Sequence, residues 1–202
     1  ALNYDRYEAD DALQTKRDTY TVNFGVENQL ADGTVVDASL GYTEIDTREA
    51  LRSTSRSGVI GQIGLQRPMP NGQVTANLST SLDQAGDRVT LRFGRSIELP
   101  NGALSASLGA TSFDGGSPDL VGSLNWQYQM ARSALSLRLN RSVSTNNDDE
   151  ERLATSAVVN YSYDINTLSS LGFSMDYGLT DGTGATNDTE RAGVSLSYNR
   201  SL

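Results

Sequence analysis

The sequence contains no cysteine and no histidine, and its only lysine is Lys16. Without cysteine, neither a disulfide framework nor a thiolate metal site can form. Without histidine, a serine or aspartate nucleophile lacks its usual base, and no G-x-S-x-G, P-loop or H-E-x-x-H motif is present. The sequence therefore predicts that the chain is not an enzyme and uses no cofactor or metal centre.

Apolar residues are also scarce, at 37% of the 202 residues, and aromatic residues make up 7%. No apolar run approaches the ~18 residues that a spanning helix needs. The net charge of -9 at pH 7 argues against a nucleic-acid partner, because binding to phosphates requires a basic surface. The opening ALNYDRYEADD lacks the basic and apolar segments of a signal peptide, which predicts either a removed leader or a fragment of a longer chain.

What the sequence does have is alternation of apolar and polar residues. From Tyr20 to Val26, large apolar residues alternate with Thr, Asn and Gly, and Val74, Ala76, Leu78 and Leu82 form a similar apolar stripe. This period of two predicts strands with one apolar face, and it argues against disorder. The predicted strands are 1–9, 18–30, 33–46, 57–67, 72–84, 87–99, 102–113, 118–130, 133–145, 152–165, 167–179 and 189–202.

The connections between these strands alternate between short and long. The short ones are LADGT, PMPNGQ, LPNGA, QMARSA and DINTL, and three of them contain the hairpin signals Asp32-Gly33, Asn71-Gly72 and Asn101-Gly102. The others, such as DTREALRSTSRS and TDGTGATNDTE, are mostly longer and more polar. Alternating short and long connections are typical of up-and-down membrane barrels, with short periplasmic turns and longer external loops.

The polar stripes consist mainly of Gly, Ser, Thr and Asn. Strands that face solvent usually carry Lys and Glu, whereas small polar residues suit the confined lumen of a barrel whose outer face meets lipid. Apolar stripes also recur in nearly every strand, more often than the interior of a soluble twelve-stranded protein requires. A secreted soluble β-protein is the alternative.

By this pattern, the sequence resembles the Gram-negative outer-membrane β-barrel proteins as a class, over nearly its whole length. The resemblance implies an all-β fold: one domain over residues 1–202, forming a closed antiparallel up-and-down transmembrane β-barrel of about 12 strands in the bacterial outer membrane. Barrels of this class usually end on an aromatic residue, whereas this sequence ends on Leu202, with Tyr198 in the apolar stripe. This ending is compatible with further sequence after Leu202.

Six charged residues fall in the polar register and are candidates for lining the lumen. They are Glu27, Asp37, Arg92, Glu98, Arg138 and Asp176. Arg92 and Arg138 would favour anionic solutes if they lined a constriction, but charges of this kind also pair across a lumen for stability. Because their signs are mixed, no ion selectivity follows.

Three arginines, Arg95, Arg141 and Arg200, fall in the outward apolar register, each followed by Ser. One interpretation is that they lie near strand ends and extend to lipid headgroups. The other is that they bind the phosphates of lipopolysaccharide, which suit a bidentate guanidinium. Trp126 and Tyr128 are candidates for the same lipid-facing surface.

Two acidic segments, TNNDDEER (145–152) and DGTGATND (181–188), are rich in oxygen ligands. Calcium would need several of these oxygens to converge at ~2.4 Å. Neither segment has the spacing of an EF-hand, which favours solvated loops.

Together these features predict a passive pore or channel for small hydrophilic solutes. The alternatives are a translocator barrel, similar to the C-terminal barrels of autotransporters, or an anchor for a larger envelope assembly. The expected partners are outer-membrane lipid and lipopolysaccharide, together with other envelope proteins. A long passenger region encoded before Ala1 would favour the translocator.

Overall fold

A computed structural model describes residues 1–8, 15–48, 53–82, 86–145, 151–182 and 188–200. The strands are β1 (Leu2–Glu8), β2 (Lys16–Gln29), β3 (Val35–Arg48), β4 (Ser53–Met69), β5 (Gly72–Leu82), β6 (Asp87–Leu99), β7 (Gly102–Phe113), β8 (Asp119–Gln129), β9 (Ser133–Thr145), β10 (Glu151–Asn166), β11 (Ser169–Gly182) and β12 (Thr189–Arg200). They form one antiparallel sheet in which each strand pairs with its neighbours in sequence. The prediction of an all-β, up-and-down fold with twelve strands is confirmed. Within these ranges, no helix is long and apolar enough to cross a membrane.

The strand order is linear from β1 to β12. Among the described residues, no ladder joins β12 to β1. Closure of the sheet into a barrel therefore stays a prediction.

Five of the observed strands, β2, β3, β4, β10 and β11, extend further toward the long connections than the alternation predicted, whereas β5 ends two residues earlier. β3 continues to Arg48 and β4 begins at Ser53, and these two residues face each other at the end of the ladder. The predicted strands stopped where the apolar residues stop. The ladder continues because backbone hydrogen bonds do not depend on the polarity of the side chains.

The predicted hairpins at Asp32-Gly33, Asn71-Gly72 and Asn101-Gly102 are confirmed as short connections. Gly33 has a φ of 81°, which favours glycine. The backbone N–H of Thr34 donates to Asp32 Oδ1 at 3.0 Å, and this hydrogen bond lowers the pKa of the Asp32 carboxyl below its ordinary value of 3.8.

Most of the long connections lie outside the described residues, at 9–14, 49–52, 83–85, 146–150 and 183–187. The greater part of both acidic segments lies in these ranges. The terminal Leu202 also lies outside the described residues. The interpretation of these segments as solvated loops therefore stays a prediction.

The chain divides into two compact units. Unit 1 comprises Ala1–Arg67, Thr75–Leu91 and Ala110–Asp119. Unit 2 comprises Pro68–Val74, Arg92–Gly109 and the described residues from Leu120 onward. The prediction of a single domain over residues 1–202 stays a prediction.

In unit 1, the registers of β1 to β4 place the apolar residues on one face. Val22 faces Leu2 on one side and Tyr42 on the other, and Phe24 faces Leu40. Residues directly opposite each other in adjacent strands share a face of the sheet. Phe24 is 81% exposed, so this apolar face is a surface and not a core.

In unit 2, the registers of β8 to β12 align a row of large apolar residues across five strands. The row runs Trp126, Leu137, Val159, Met175, Val194. Val194 is 70% exposed and the neighbouring Leu196 is 71% exposed. The apolar face of unit 2 is therefore also a surface.

The buried residues lie elsewhere. Only Ile45 and Val121 are buried hydrophobic residues among those described, at 6% and 2% exposure. Gly122 faces Arg141, whose position belongs to the apolar face. Val121 is the residue before Gly122, so it points to the polar face. Among the described residues, the apolar faces of both units are therefore exposed, whereas the few buried hydrophobic residues lie on the polar faces.

Candidate functional site

The polar face of unit 1 carries small hydroxyl and amide side chains on adjacent strands. Thr21 and Thr43 face each other, and their hydroxyls are 2.9 Å apart in a hydrogen bond. Ser39 faces Gln62 in the next pairing. A cavity of about 360 Å³ lies over this face, lined in part by Thr21, Asn23, Ser39 and Gln62.

Leu82 lies on this polar face, although the alternation predicted it on the apolar face. Thr43 faces Gly58, so a Cβ on Gly58 would point to the polar face. Leu82 Cδ2 lies 3.5 Å from that Cβ position. The prediction that Leu82 belongs to the apolar stripe is wrong, because the end of β5 does not continue the alternation that begins at Val74.

The polar face of unit 2 carries a similar row of uncharged side chains. The row is Gln127, Ser136, Asn160, Ser174 and Ser195. Asn160 Nδ2 donates to Ser136 Oγ at 3.3 Å. A cavity of about 530 Å³ opens over this row, and none of the residues lining it is charged. Its surface can exchange hydrogen bonds with water or with an uncharged polar solute.

Glu27 and Asp37 are the two lumen candidates that the described pairings bring face to face. The Asp37 carboxylate accepts a hydrogen bond from Gln62 Nε2 at 2.9 Å and lies over Gly64, where a side chain would collide with it. Like charges placed directly opposite each other repel, so this part of unit 1 has a negative potential. No ion pair within the described ranges joins either carboxylate to a cation.

Arg138 and Asp176 lie in one row of unit 2, separated by Val158. Asp176 Oδ2 is 3.8 Å from Arg191 Nε, in an exposed ion pair. Arg138 faces Asn125 on its other side and forms no ion pair with a described residue. Asp176 therefore pairs with an arginine of the neighbouring strand that the sequence did not single out, and pairing of charges across a lumen stays a prediction.

The alternation of side chains along β6 shows on which face Arg92 and Glu98 lie. Thr90 hydrogen-bonds to the buried Thr111 at 2.9 Å, and Arg92 and Glu98 follow Thr90 at even spacings, so they share its face. The backbone N–H of Glu98 donates to Asn71 O at 2.8 Å, which places Glu98 at the short-connection end. Neither residue has an ion pair among the described side chains.

Two of the three outward arginines donate hydrogen bonds to neutral oxygens. Arg95 Nη2 donates to Asn71 Oδ1 at 2.9 Å. Arg141 Nε donates to Leu120 O at 3.1 Å, and its Nη1 donates to Thr155 Oγ1 at 3.3 Å. No described carboxylate pairs with either guanidinium. Arg200 is the last residue of β12 and faces Ser169.

Trp126 and Tyr128 lie on the apolar face of unit 2, with ring centroids 6.3 Å apart. The pairing of the strands brings further aromatic residues next to them, and alternation within single strands did not predict this group. The row of Tyr128 contains Tyr161 and Phe173, and the next row toward the short connections contains Tyr163 and Tyr198. Pairing registers were needed to find this aromatic group.

Unit 1 has its aromatic residues toward the long connections. The rings of Tyr4 and Tyr20 are 5.1 Å apart, and Tyr4 OH donates to Asp18 Oδ1 at 2.8 Å. Beyond this pair the same face becomes charged, with Arg6 Nη2 2.7 Å from Glu8 Oε1. The apolar band of unit 1 therefore ends in tyrosines followed by ion pairs.

Searches against protein-family models, curated proteins and solved structures found no match to this chain.

Proposed function

We propose that the chain closes into a β-barrel in the bacterial outer membrane and acts as a passive pore for small hydrophilic solutes. The observation that carries the proposal is the inverted burial of the sheet. Large apolar side chains such as Phe24 and Val194 are exposed, while Ile45 and Val121 are the buried hydrophobic residues among those described. Exposed apolar surface costs about 25 cal/mol per Å² in water, and lipid chains remove that cost.

The lengths of the strands support a membrane-spanning role. A transmembrane β-strand needs about 9–11 residues. β2 to β12 have 11–17 residues each, whereas β1 has 7. An even number of alternating strands gives β1 and β12 opposite directions, which an up-and-down barrel requires. Lipid favours closure because it cannot satisfy unpaired backbone groups at an edge.

The polar faces support a water-filled interior. Their hydroxyl and amide groups lie beside cavities of about 360 Å³ in unit 1 and about 530 Å³ in unit 2. The charges on these faces are mixed, and among the described residues Glu27 and Asp37 in unit 1 and Arg138 in unit 2 have no ion-pair partner. Weak ion selectivity is therefore expected, and Arg92 and Arg138 are the residues that would favour anions.

The outer face supports contact with lipid and lipopolysaccharide as partners. Arg95 and Arg141 use neutral oxygens as acceptors, and Arg141 keeps further N–H donors that can bind phosphate. The aromatic residues around Tyr128 and Tyr163 would lie at the level of the headgroups.

A translocator or anchor barrel is the second candidate. The observation in its favour is the burial of Ile45 and Val121 on the polar face, because side chains that fill the interior leave less room for solutes. An anchor would need the lipid-facing surface but no open lumen.

Single-channel conductance of the refolded chain in planar bilayers separates these functions. Defined conductance steps are expected for a pore, and replacing Arg138 by Gln is expected to shift the selectivity toward cations. Insertion without conductance would favour the translocator or anchor. Stable folding in plain buffer without insertion would contradict the membrane barrel itself.

A further inference from the structure

Asn71 and Asn101 occupy the same place in two similar hairpins of unit 2. Each lies between a proline and a glycine, and each is exposed. The backbone oxygen of Asn71 accepts a hydrogen bond from the N–H of Glu98 at 2.8 Å, and that of Asn101 accepts one from the N–H of Gln129 at 2.6 Å. The chain therefore contains two copies of one local structure, which can be compared directly.

The two hairpins differ in what contacts the side-chain amide. Arg95 Nη2 in β6 donates to Asn71 Oδ1 at 2.9 Å. Trp126 is the corresponding residue of β8, since each lies three positions before the residue that donates to the asparagine backbone. None of the hydrogen bonds among the described residues involves the Asn101 side chain. Only Asn71 therefore has a cation that donates to its amide oxygen.

An asparagine followed by glycine can lose its side-chain amide without an enzyme, because glycine has no Cβ to obstruct its backbone nitrogen. At Asn71, the nitrogen of Gly72 attacks Cγ, and an N–Cγ bond forms as this nitrogen loses its proton to solvent. The Cγ–Nδ2 bond then breaks, and the amide nitrogen takes a proton from solvent and leaves as ammonia. Water opens the resulting five-membered imide at either carbonyl, which leaves aspartate or isoaspartate at position 71.

We propose that Asn71 is a site of spontaneous deamidation and that Arg95 accelerates the reaction. Attack on Cγ places negative charge on Oδ1, the atom to which the guanidinium donates. A donor held where charge develops lowers the barrier of the reaction. Because this contact is exposed, we expect an acceleration of about three-fold or more, far below the effect of an enclosed oxyanion hole. The proposed function does not enter this inference.

Deamidation changes the charge at this hairpin. The new carboxylate at position 71 lies beside Arg95, which donates to a neutral oxygen before the reaction. A carboxylate is a stronger acceptor than an amide, so it forms an ion pair with the guanidinium. The hairpin that contains Asp32-Gly33 has a carboxylate at the equivalent position before glycine from the start.

The test compares the rates of deamidation at Asn71 and Asn101 in the folded chain. Samples are incubated at mildly alkaline pH, which favours loss of the proton from the attacking nitrogen, and tryptic peptides are analysed by mass spectrometry. Arg88 and Arg92 lie between the two sites, so trypsin separates them. We expect Asn71 to react about three-fold faster or more than Asn101. Equal rates, or a faster reaction at Asn101, would overturn the proposal.

Two controls attribute the difference to Arg95. Arg95→Met keeps a long side chain without a donor and is expected to slow the reaction at Asn71 by about three-fold or more, with no change at Asn101. Arg95→Lys keeps a cationic donor and is expected to retain part of the acceleration. In urea, unfolding separates Arg95 from Asn71, and the two rates are expected to converge. A difference that persists in urea or in Arg95→Met would belong to the flanking residues and would overturn the role of Arg95.

Discussion

At the scale of single residues, close approach between strands places the strongest constraints on the sequence. A Cβ on Gly41 would lie 2.6 Å from Val22 O and 2.8 Å from Asn23 Cβ. Neither atom is at the end of a flexible side chain, so a larger residue would force the strands apart. A Cβ on Gly178 would have no described atom within 4 Å.

We expect Gly41→Ala to destabilise the folded chain by about 1–3 kcal/mol, because the added methyl group overpacks the contact between β2 and β3. The matched change Gly178→Ala is expected to alter stability by no more than about 0.5 kcal/mol. Urea unfolding of both variants in lipid vesicles, followed by Trp126 fluorescence, measures the difference. Equal stabilities would contradict the close packing at Gly41.

Ile45 and Leu82 show the limit of assigning side chains to a face of the sheet from alternation alone. Period-two alternation assigned most side chains to a face, because successive residues of a strand point to opposite sides. It placed Leu82 with Leu78, yet Leu82 lies against Gly58. A local departure at the end of a strand depends on the neighbouring strand, and no pattern within β5 contains that information.

At the scale of elements, the two faces of one strand have opposite environments. In β9, Leu137 faces Trp126 and Val159 on the apolar face, whereas Ser136 faces Gln127 and Asn160 on the polar face. Under the proposed function, adjacent positions of the same strand would therefore distinguish contact with lipid from contact with water.

We expect Leu137→Arg to destabilise the membrane-inserted state by about 1–2 kcal/mol, between the costs of a cation at the interface and at the middle of the bilayer, because Leu137 lies one row from Tyr128. Ser136→Arg places the same charge on the polar face and is expected to have little effect. The two free energies of unfolding are compared in vesicles of one lipid composition. A larger loss for Ser136→Arg would reverse the assignment of the faces.

The elements were well predicted from sequence, but their ends and mutual positions were not. Alternation and turn signals located all twelve strands, since each signal is local. The aromatic group that includes Tyr161, Phe173 and Tyr198 depends on the registers of four strand pairs. Registers arise from contacts between strands, which a single strand does not encode.

At the scale of the whole molecule, closure of the sheet is the open structural step in the proposed function. It is a contact between the first and last strands, far apart in sequence, and the order of strands does not require it. Because the chain has no cysteine, introduced thiols can report closure without interference.

We expect Asp5→Cys on β1 to form an intramolecular disulfide with one of four β12 variants: Arg191→Cys, Gly193→Cys, Ser195→Cys or Ser197→Cys. Bridging requires Cα atoms within about 4.4–6.8 Å, which adjacent strands satisfy. The positive control is Asn140→Cys with Ser156→Cys, two residues that face each other on β9 and β10. Crosslinking of the control but of none of the four pairs would contradict closure.

The most direct test of the account is the environment of Trp126, the only tryptophan of the chain. The apolar face that carries it is proposed to meet lipid, so its fluorescence in vesicles should be quenched by brominated acyl chains and protected from aqueous iodide. The control moves the indole by one residue to the polar face, in Trp126→Phe combined with Gln127→Trp, and should reverse both responses. Quenching of Trp126 by iodide and not by brominated lipid would contradict the membrane barrel.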